Sequence, residues 1–172
     1  MKNVICLSLL IVIVESVFSQ AKLCDGIYLI DQSKNKNVAS QSNKAVIQFN
    51  PLFVKEGPDE YDPITIFTDD FVPFELTSAP VIQTQKNHEN FLVVELTSNA
   101  TKRLTAFTLK NIMNNIVMVV NGQALSIYKV VHPVISSEIK IIKCSSNNGC
   151  NEVYKRLLVR MKDDSVRQVQ PK

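Results

Sequence analysis

Tryptophan is absent from this chain, and glycine (four) and histidine (two) are scarce among its 172 residues. With so few glycines and no Gly-rich loop, the backbone has no cradle for a phosphate group. His88 and His132 lie far apart in sequence, so a zinc site, which needs about four ligands, has no local set to draw on. Neither a metal nor a cofactor is expected. No nucleophile motif of the G-x-S-x-G kind accompanies either histidine. Asp69 and Asp70 are adjacent, so in a strand they face opposite sides and cannot converge as an acid–base pair. With no constellation of catalytic groups in view, an enzyme is the least favoured reading. Long apolar runs are missing too. The longest covers residues 4–14, 11 positions closed by Glu15, whereas a membrane-spanning helix needs about 20. Basic and acidic residues nearly balance, 19 against 16, which excludes the strongly basic surface of a nucleic-acid binder.

The short apolar run has the form of an export leader. Lys2 supplies a positive start, and Val17-Phe18-Ser19 places small or medium residues before a cleavage point ahead of Gln20. An uncleaved anchor is the alternative. Lipid attachment at Cys24 is disfavoured because Lys22 interrupts the small-residue box it would need. Cleavage after Ser19 leaves 153 residues, one ordinary domain with enough chain to bury a core, exported and without an integral membrane segment. The mature charge is uneven along the chain. Residues 20–75 hold 5 basic and 9 acidic side chains, and residues 76–172 hold 13 and 6. Seven of the acids lie in 56–75 without a Lys or Arg, a solvated acidic loop or else a site for a basic peptide or divalent cation.

Cys24, Cys144 and Cys150 survive cleavage, and export to an oxidising compartment permits disulfides. Cys144 and Cys150 bracket Ser-Ser-Asn-Asn-Gly, a turn-rich loop able to bring the two thiols together. That bridge is the favoured pairing; Cys24 with one of the two, or no bridge, are the alternatives.

Along the chain, residues 20–45 are polar apart from a short run at 26–30. Ala45 to Phe49 and Ile64 to Phe67 have strand character, the second broken at Thr68-Asp69-Asp70. Phe74 to Leu76 and Val81-Ile82 flank Ala79-Pro80. Since proline has no N–H to donate, this piece is expected to be an edge strand or a bulge. A strand over 91–96 leads into a helix over 98–111, capped by Ser98 or Asn99 and buried along Ala100, Leu104 and Phe107. An all-apolar central strand over 116–120, the Asn121-Gly122 type I′ turn and a returning strand over 124–131 follow. A strand over 138–143 and an amphipathic helix over 151–162, with Val153, Leu157 and Met161 repeating every four residues, complete the pattern. The fold class is therefore α+β: a mainly antiparallel sheet with both helices packed on one face.

This order of motifs resembles the periplasmic head domain of the SecD and SecDF family, partners of the bacterial Sec translocase. Leu96-Thr97 precedes the helix, and Leu104, Phe107, Thr108 and Asn111 fall on the family's helix pattern. Residues 117–120, Asn121-Gly122 and Leu125-Ser126 then follow without a gap, and Phe74 to Leu76 with Ala79 to Ile82 matches the opening strand. One departure is that Ser126 is followed by Ile127-Tyr128 rather than Ala-Pro. The resemblance spans about residues 73–162, so the expected organisation is a leader (1–19), an N-terminal extension (20–72), the head-like domain (73–162) and a polar tail (163–172). It implies a bacterial host, in which Asn99-Ala100-Thr101 is a helix start and not a glycosylation site. The family's gradient-driven membrane helices are missing, so no energised transport carries over. What it implies is an exported, periplasmic or secreted, non-enzymatic module that contacts extended polypeptide or an envelope protein. The alternative is a structural accessory protein of the envelope with one fixed partner.

Overall fold

The computed structural model describes residues 23–33, 42–49, 63–86, 88–144 and 147–169. The leader, its cleavage point and the acidic stretch 56–62 lie outside these residues. The elements in chain order are β1 (Gly26–Ile30), β2 (Lys44–Ile47), β3 (Ile64–Pro73), β4 (Val81–Thr84), β5 (Asn90–Glu95), α1 (Ser98–Lys110), β6 (Asn115–Val120), β7 (Gln123–Lys129), β8 (Glu138–Cys144) and α2 (Asn147–Val169). They form two antiparallel sheets, one ordered β2-β3-β1-β6-β7 and the other β4-β5-β8. The fold is α+β, as the pattern of apolar periodicities implies, with a second sheet where one was expected.

Two cores explain why β6 is apolar at every position from Ile116 to Val120. Alternate side chains of a strand point to opposite faces. Ile116, Met118 and Val120 join the larger core, while Val117 and Val119 join the smaller one. β1 divides in the same way, Ile27 and Leu29 to one side and Tyr28 and Ile30 to the other. The smaller core is the inside of a curled sheet. After β2 the chain returns to β7, where the Ala124 N–H donates to the Gln48 carbonyl at 2.9 Å and Phe49 bridges Ala124. The five-stranded sheet is thus closed at this end into a small barrel around Tyr28, Ile47, Ile66, Val117 and Val119. The larger core lies outside that barrel, where α1, α2 and the second sheet pack.

The expected separation of 20–72 from 73–162 does not describe this arrangement. β1 lies at the middle of the five-stranded sheet, hydrogen-bonded to β3 on one side and β6 on the other. A boundary at 72/73 would cut β3 one residue before its end. The resemblance began at Phe74 because that is where its motifs begin, but the core needs the earlier strands to complete it. The expected break at Thr68-Asp69-Asp70 is a bulge inside β3: between the Tyr28–Phe71 and Ile30–Ile66 pairs, two steps along β1 face five along β3.

Helix α1 ends where expected but is capped by Thr97, whose Oγ1 accepts the Ala100 N–H at 3.2 Å, and not by Ser98 or Asn99. Ala100, Leu104, Phe107 and Thr108 form its buried face. Helix α2 is longer than the expected 151–162, and the polar tail from 163 is helical as far as Val169. No proline or glycine occurs between Gly149 and Pro171 to stop it. Cys150, Val153 and Leu157 form its buried stripe. A disulfide joins Cys144 at the end of β8 to Cys150 in the first turns of α2, with Cα atoms 5.6 Å apart. Cys24 is exposed and outside any disulfide.

At Gly26 the backbone of β3 lies close against β1. A Cβ at this position would stand 2.5 Å from the Val72 carbonyl oxygen. Backbone is in the way, so no rotamer change relieves the contact. Gly26→Ala is expected to lower unfolding free energy by about 1–3 kcal/mol, and Leu104→Ala or Phe107→Ala by about 2–5 kcal/mol. Urea denaturation of each variant measures these losses. An unchanged midpoint for Gly26→Ala would mean β1 does not lie against β3 in this register.

Candidate functional site

The candidate site is built on the second sheet, where β4 pairs with β5 and, among the described residues, has no strand on its other side. Pro80 precedes β4, which accounts for its short length and edge position. A tight loop joins β4 to β5. The Gln85 N–H donates to Glu89 O at 2.8 Å, and the His88 N–H donates to Gln85 O at 2.9 Å. His88 takes φ 61°, the left-handed position that closes a three-residue hairpin loop. That is the observed role of this histidine: it shapes a turn.

The loop also fixes which backbone groups face outward. Antiparallel partners alternate between hydrogen-bonded and non-hydrogen-bonded pairs. Because Gln85 and Glu89 are a bonded pair in the same unbroken register, so are Gln83–Phe91 and Val81–Val93. Ile82 and Thr84 therefore turn their N–H and C=O groups away from β5, towards the open side. Val81 and Ile82 are about half exposed, at 49% and 46%, while Leu92 and Val94 behind them are buried. The opposite edge of the sheet is different. Ser126 Oγ on β7 donates to the Ile141 carbonyl at 2.6 Å, and Tyr128 OH reaches the Lys140 and Ile141 carbonyls at 3.3 and 3.4 Å. Side chains of β7 thus occupy acceptors on β8, and β4 presents the barer edge.

A second cluster holds the first strand in place. Asp25 is 3% exposed, and its Oδ1 accepts the Asn121 N–H at 2.7 Å. Its Oδ2 lies 3.3 Å from Arg160 Nη1 and 4.0 Å from Arg156 Nε. The Asp25 carbonyl accepts from Phe74 N at 3.1 Å and from Arg160 Nη1 at 3.2 Å. A nearby cleft of about 680 Å³ is lined by Cys24, Tyr28, Lys44, Phe71, Asn121 and Gly122, among others. Tyr28 stacks on Phe71 with ring centres 4.7 Å apart and donates its hydroxyl to the Cys24 carbonyl at 2.7 Å. Burial, with Cys24 and Asp25 adding to it, pushes the Tyr28 phenol far above its usual range. Lys44, the cation of the cleft, is engaged by Asp31 at 2.8 Å. Within this lining, no base–nucleophile or paired-carboxylate arrangement stands out.

The residues singled out from the sequence have structural positions. Leu96, Leu104 and Phe107 are core, and Thr97 is the helix cap. Thr108 Oγ1 donates to Leu104 O at 2.7 Å and accepts Val134 N–H at 2.9 Å, so it fastens the segment after β7 onto α1. Asn111 caps the end of α1 and is buried. Asn121 and Gly122 form the β6–β7 turn at φ 55° and 74°. Asp69 and Asp70 diverge: Asn43 Nδ2 donates to Asp69 Oδ2 and Lys110 Nζ to Asp70 Oδ2. The Asp70 contact raises the Lys110 pKa. Among the described residues, no three His, Cys, Asp or Glu side chains cluster to hold a metal ion, and no helix is long and apolar enough to cross a membrane. The sequence reading missed Asp25, Arg156 and Arg160. The signal was there: an acid directly before an apolar strand, and two arginines four apart on one helix face.

Hydrogen bonds from Lys44 Nζ first, then from the Ser33 N–H and hydroxyl, pull the Asp31 carboxyl down to about 2. A depressed carboxylate stabilises the fold above its unfolded pKa, about 4, and that contribution disappears as pH falls through the folded value. Stability is therefore expected to decline between about pH 4 and pH 2 in part through this pair. Lys44→Met should flatten that portion of the acid-unfolding curve, measured by denaturant midpoints at successive pH values. An identical acid profile in the variant would show that Lys44 does not tune Asp31.

No protein-family model and no curated protein sequence matches the chain. Among solved structures it is similar to that of SecDF, a membrane component that enhances protein export, with TM-score 0.51 and 11% identity over 81% of this chain and 63% of that one. A crystal structure of SecDF in a super-membrane-facing form also matches, with TM-score 0.48 and 13% identity over 79% of this chain and 18% of that one. The chain spans less than two thirds of the length of either. At these identities the likeness is one of fold, and it extends well beyond the 73–162 segment that carried the motifs.

Proposed function

We propose that this chain is an exported, non-enzymatic binding module, periplasmic or secreted, that takes up extended polypeptide in a protein-export-related role. The observation that carries the reading is the bare outer side of β4, where Ile82 and Thr84 offer unpaired backbone groups beside half-exposed apolar side chains. An open edge pairs with a further strand, and the backbone bonds of that pairing are themselves indifferent to sequence. That suits a module that must accept many unfolded chains. The fold likeness to SecDF and the Cys144–Cys150 disulfide support the export setting.

A second reading, a structural accessory protein of the envelope with one fixed partner, is favoured by a different surface. Leu109, Met113 and Val131 are 57–60% exposed at the end of α1, and the Met113 N–H donates to Val130 O at 2.7 Å, which brings the two segments together. Partner choice separates the readings. The purified protein is titrated with a reduced, carboxymethylated protein that cannot refold and with the same protein in its native state. Binding to the unfolded form alone, weakened about tenfold or more by Ile82→Lys, is the expected result. No binding to unfolded chains, or binding lost in Met113→Lys and kept in Ile82→Lys, would contradict the leading reading.

A further inference from the structure

The β4 edge offers a short row of bonds. Ile82 and Thr84 each present one donor and one acceptor on the open side, set two residues apart. The preceding position in that row is Pro80, which has no N–H. The following position is Lys86, already in the loop closed by His88. A strand laid against this edge is therefore fastened through four backbone groups over a few residues, and its side chains supply the remaining affinity.

Those side chains meet apolar surface on both faces of the sheet. Residues directly opposite one another share a face. Ile82 lies opposite Leu92, which belongs to the main core, and Val81 lies opposite the buried Val93. Each of the two edge residues is about half uncovered. Gln83 and Thr84 follow, so the apolar surface at the edge is confined to two neighbouring positions on opposite faces. A segment that alternates apolar and polar residues covers one of them and leaves the other wet.

Resting on the proposed function, we infer that the β4 edge selects short extended segments carrying two consecutive apolar residues flanked by polar ones. It binds them through backbone pairing at Ile82 and Thr84. The ligand class is an unfolded stretch of polypeptide with an apolar–apolar step, and proline or an N-methylated residue is rejected at the bonded positions.

Two capped peptides of identical composition test this, Thr-Val-Ile-Thr-Lys-Thr and Thr-Val-Thr-Ile-Lys-Thr, titrated into isotope-labelled protein while backbone amide signals are followed. The adjacent-pair peptide is expected to bind about tenfold more tightly, with shifts centred on the Ile82 and Thr84 amides. N-methylation along that peptide should abolish binding at alternate residues and spare those between. Equal affinity for the two isomers, or loss of binding without alternation, overturns the inference while leaving peptide uptake at β4 standing. No shift in β4 with either peptide overturns both. Shifts of Ile82 and Thr84 that follow protein concentration alone would make a second copy of the chain the occupant and overturn the inference as well.

Discussion

The buried carboxylate of Asp25 ties together parts of the chain that are far apart in sequence. It stands at the head of β1, accepts the amide of the β6–β7 turn and faces two arginines of α2. Its carbonyl meanwhile receives the amide of Phe74 as the chain leaves β3. Taking a carboxylate out of water is costly unless charge and hydrogen bonds replace the hydration. Here both are present, and the geometry they require fixes the register of β1 against its two neighbours. Arg156 Nε stays at 4.0 Å, buried and without a hydrogen-bond partner, so Arg160 makes the closer contact. A substitution that removed the carboxylate would take this buried negative charge away from both guanidinium groups.

With β1 held at the centre, the remaining layout follows. The strand must be apolar on both faces because a barrel interior lies on one side and two helices with a second sheet lie on the other. The barrel consumes one potential edge, since the end of β2 bonds to β7. Side chains of β7 reach acceptors on β8. Among the described residues, what is left bare is β4, shortened by Pro80 at one end and a tight loop at the other. A short edge limits uncontrolled strand pairing, and the same shortness lets it grip a passing segment weakly and release it. The candidate function and the stability of the fold are thus properties of one arrangement.

Much of the second half of the molecule could be read from the residues. The Asn121-Gly122 turn, the apolar run of β6, the 100/104/107 face of α1 and the Cys144–Cys150 loop each combine local conformation with burial, so their signals reinforce one another. The first half was less legible. Residues 26–30 are too short to show a period, and Gly26 looks like a breaker when it is in fact a point of close approach to Val72. The bulge in β3 resembled a strand end because Asp69 and Asp70 read as turn residues, although each carboxylate has a partner across the surface. As for the site, Pro80 marked the edge correctly. Which backbone groups face outward depended on the hairpin register, and that is set by the left-handed His88, whose residue type favours such a position only weakly.

Native-state amide hydrogen exchange of the free protein tests the whole account in one measurement. The amides of Ile27, Tyr28 and Leu29 should fall among the slowest and exchange together with those of β6, because opening β1 breaks the centre of the larger sheet. Along β4, protection should alternate: Val81 and Gln83 slow, Ile82 and Thr84 fast. Loop-like exchange throughout β1, or Ile82 and Thr84 protected as strongly as Gln83, would contradict the account. The first result would remove the strand from the centre of the fold, and the second would show that the edge is already covered.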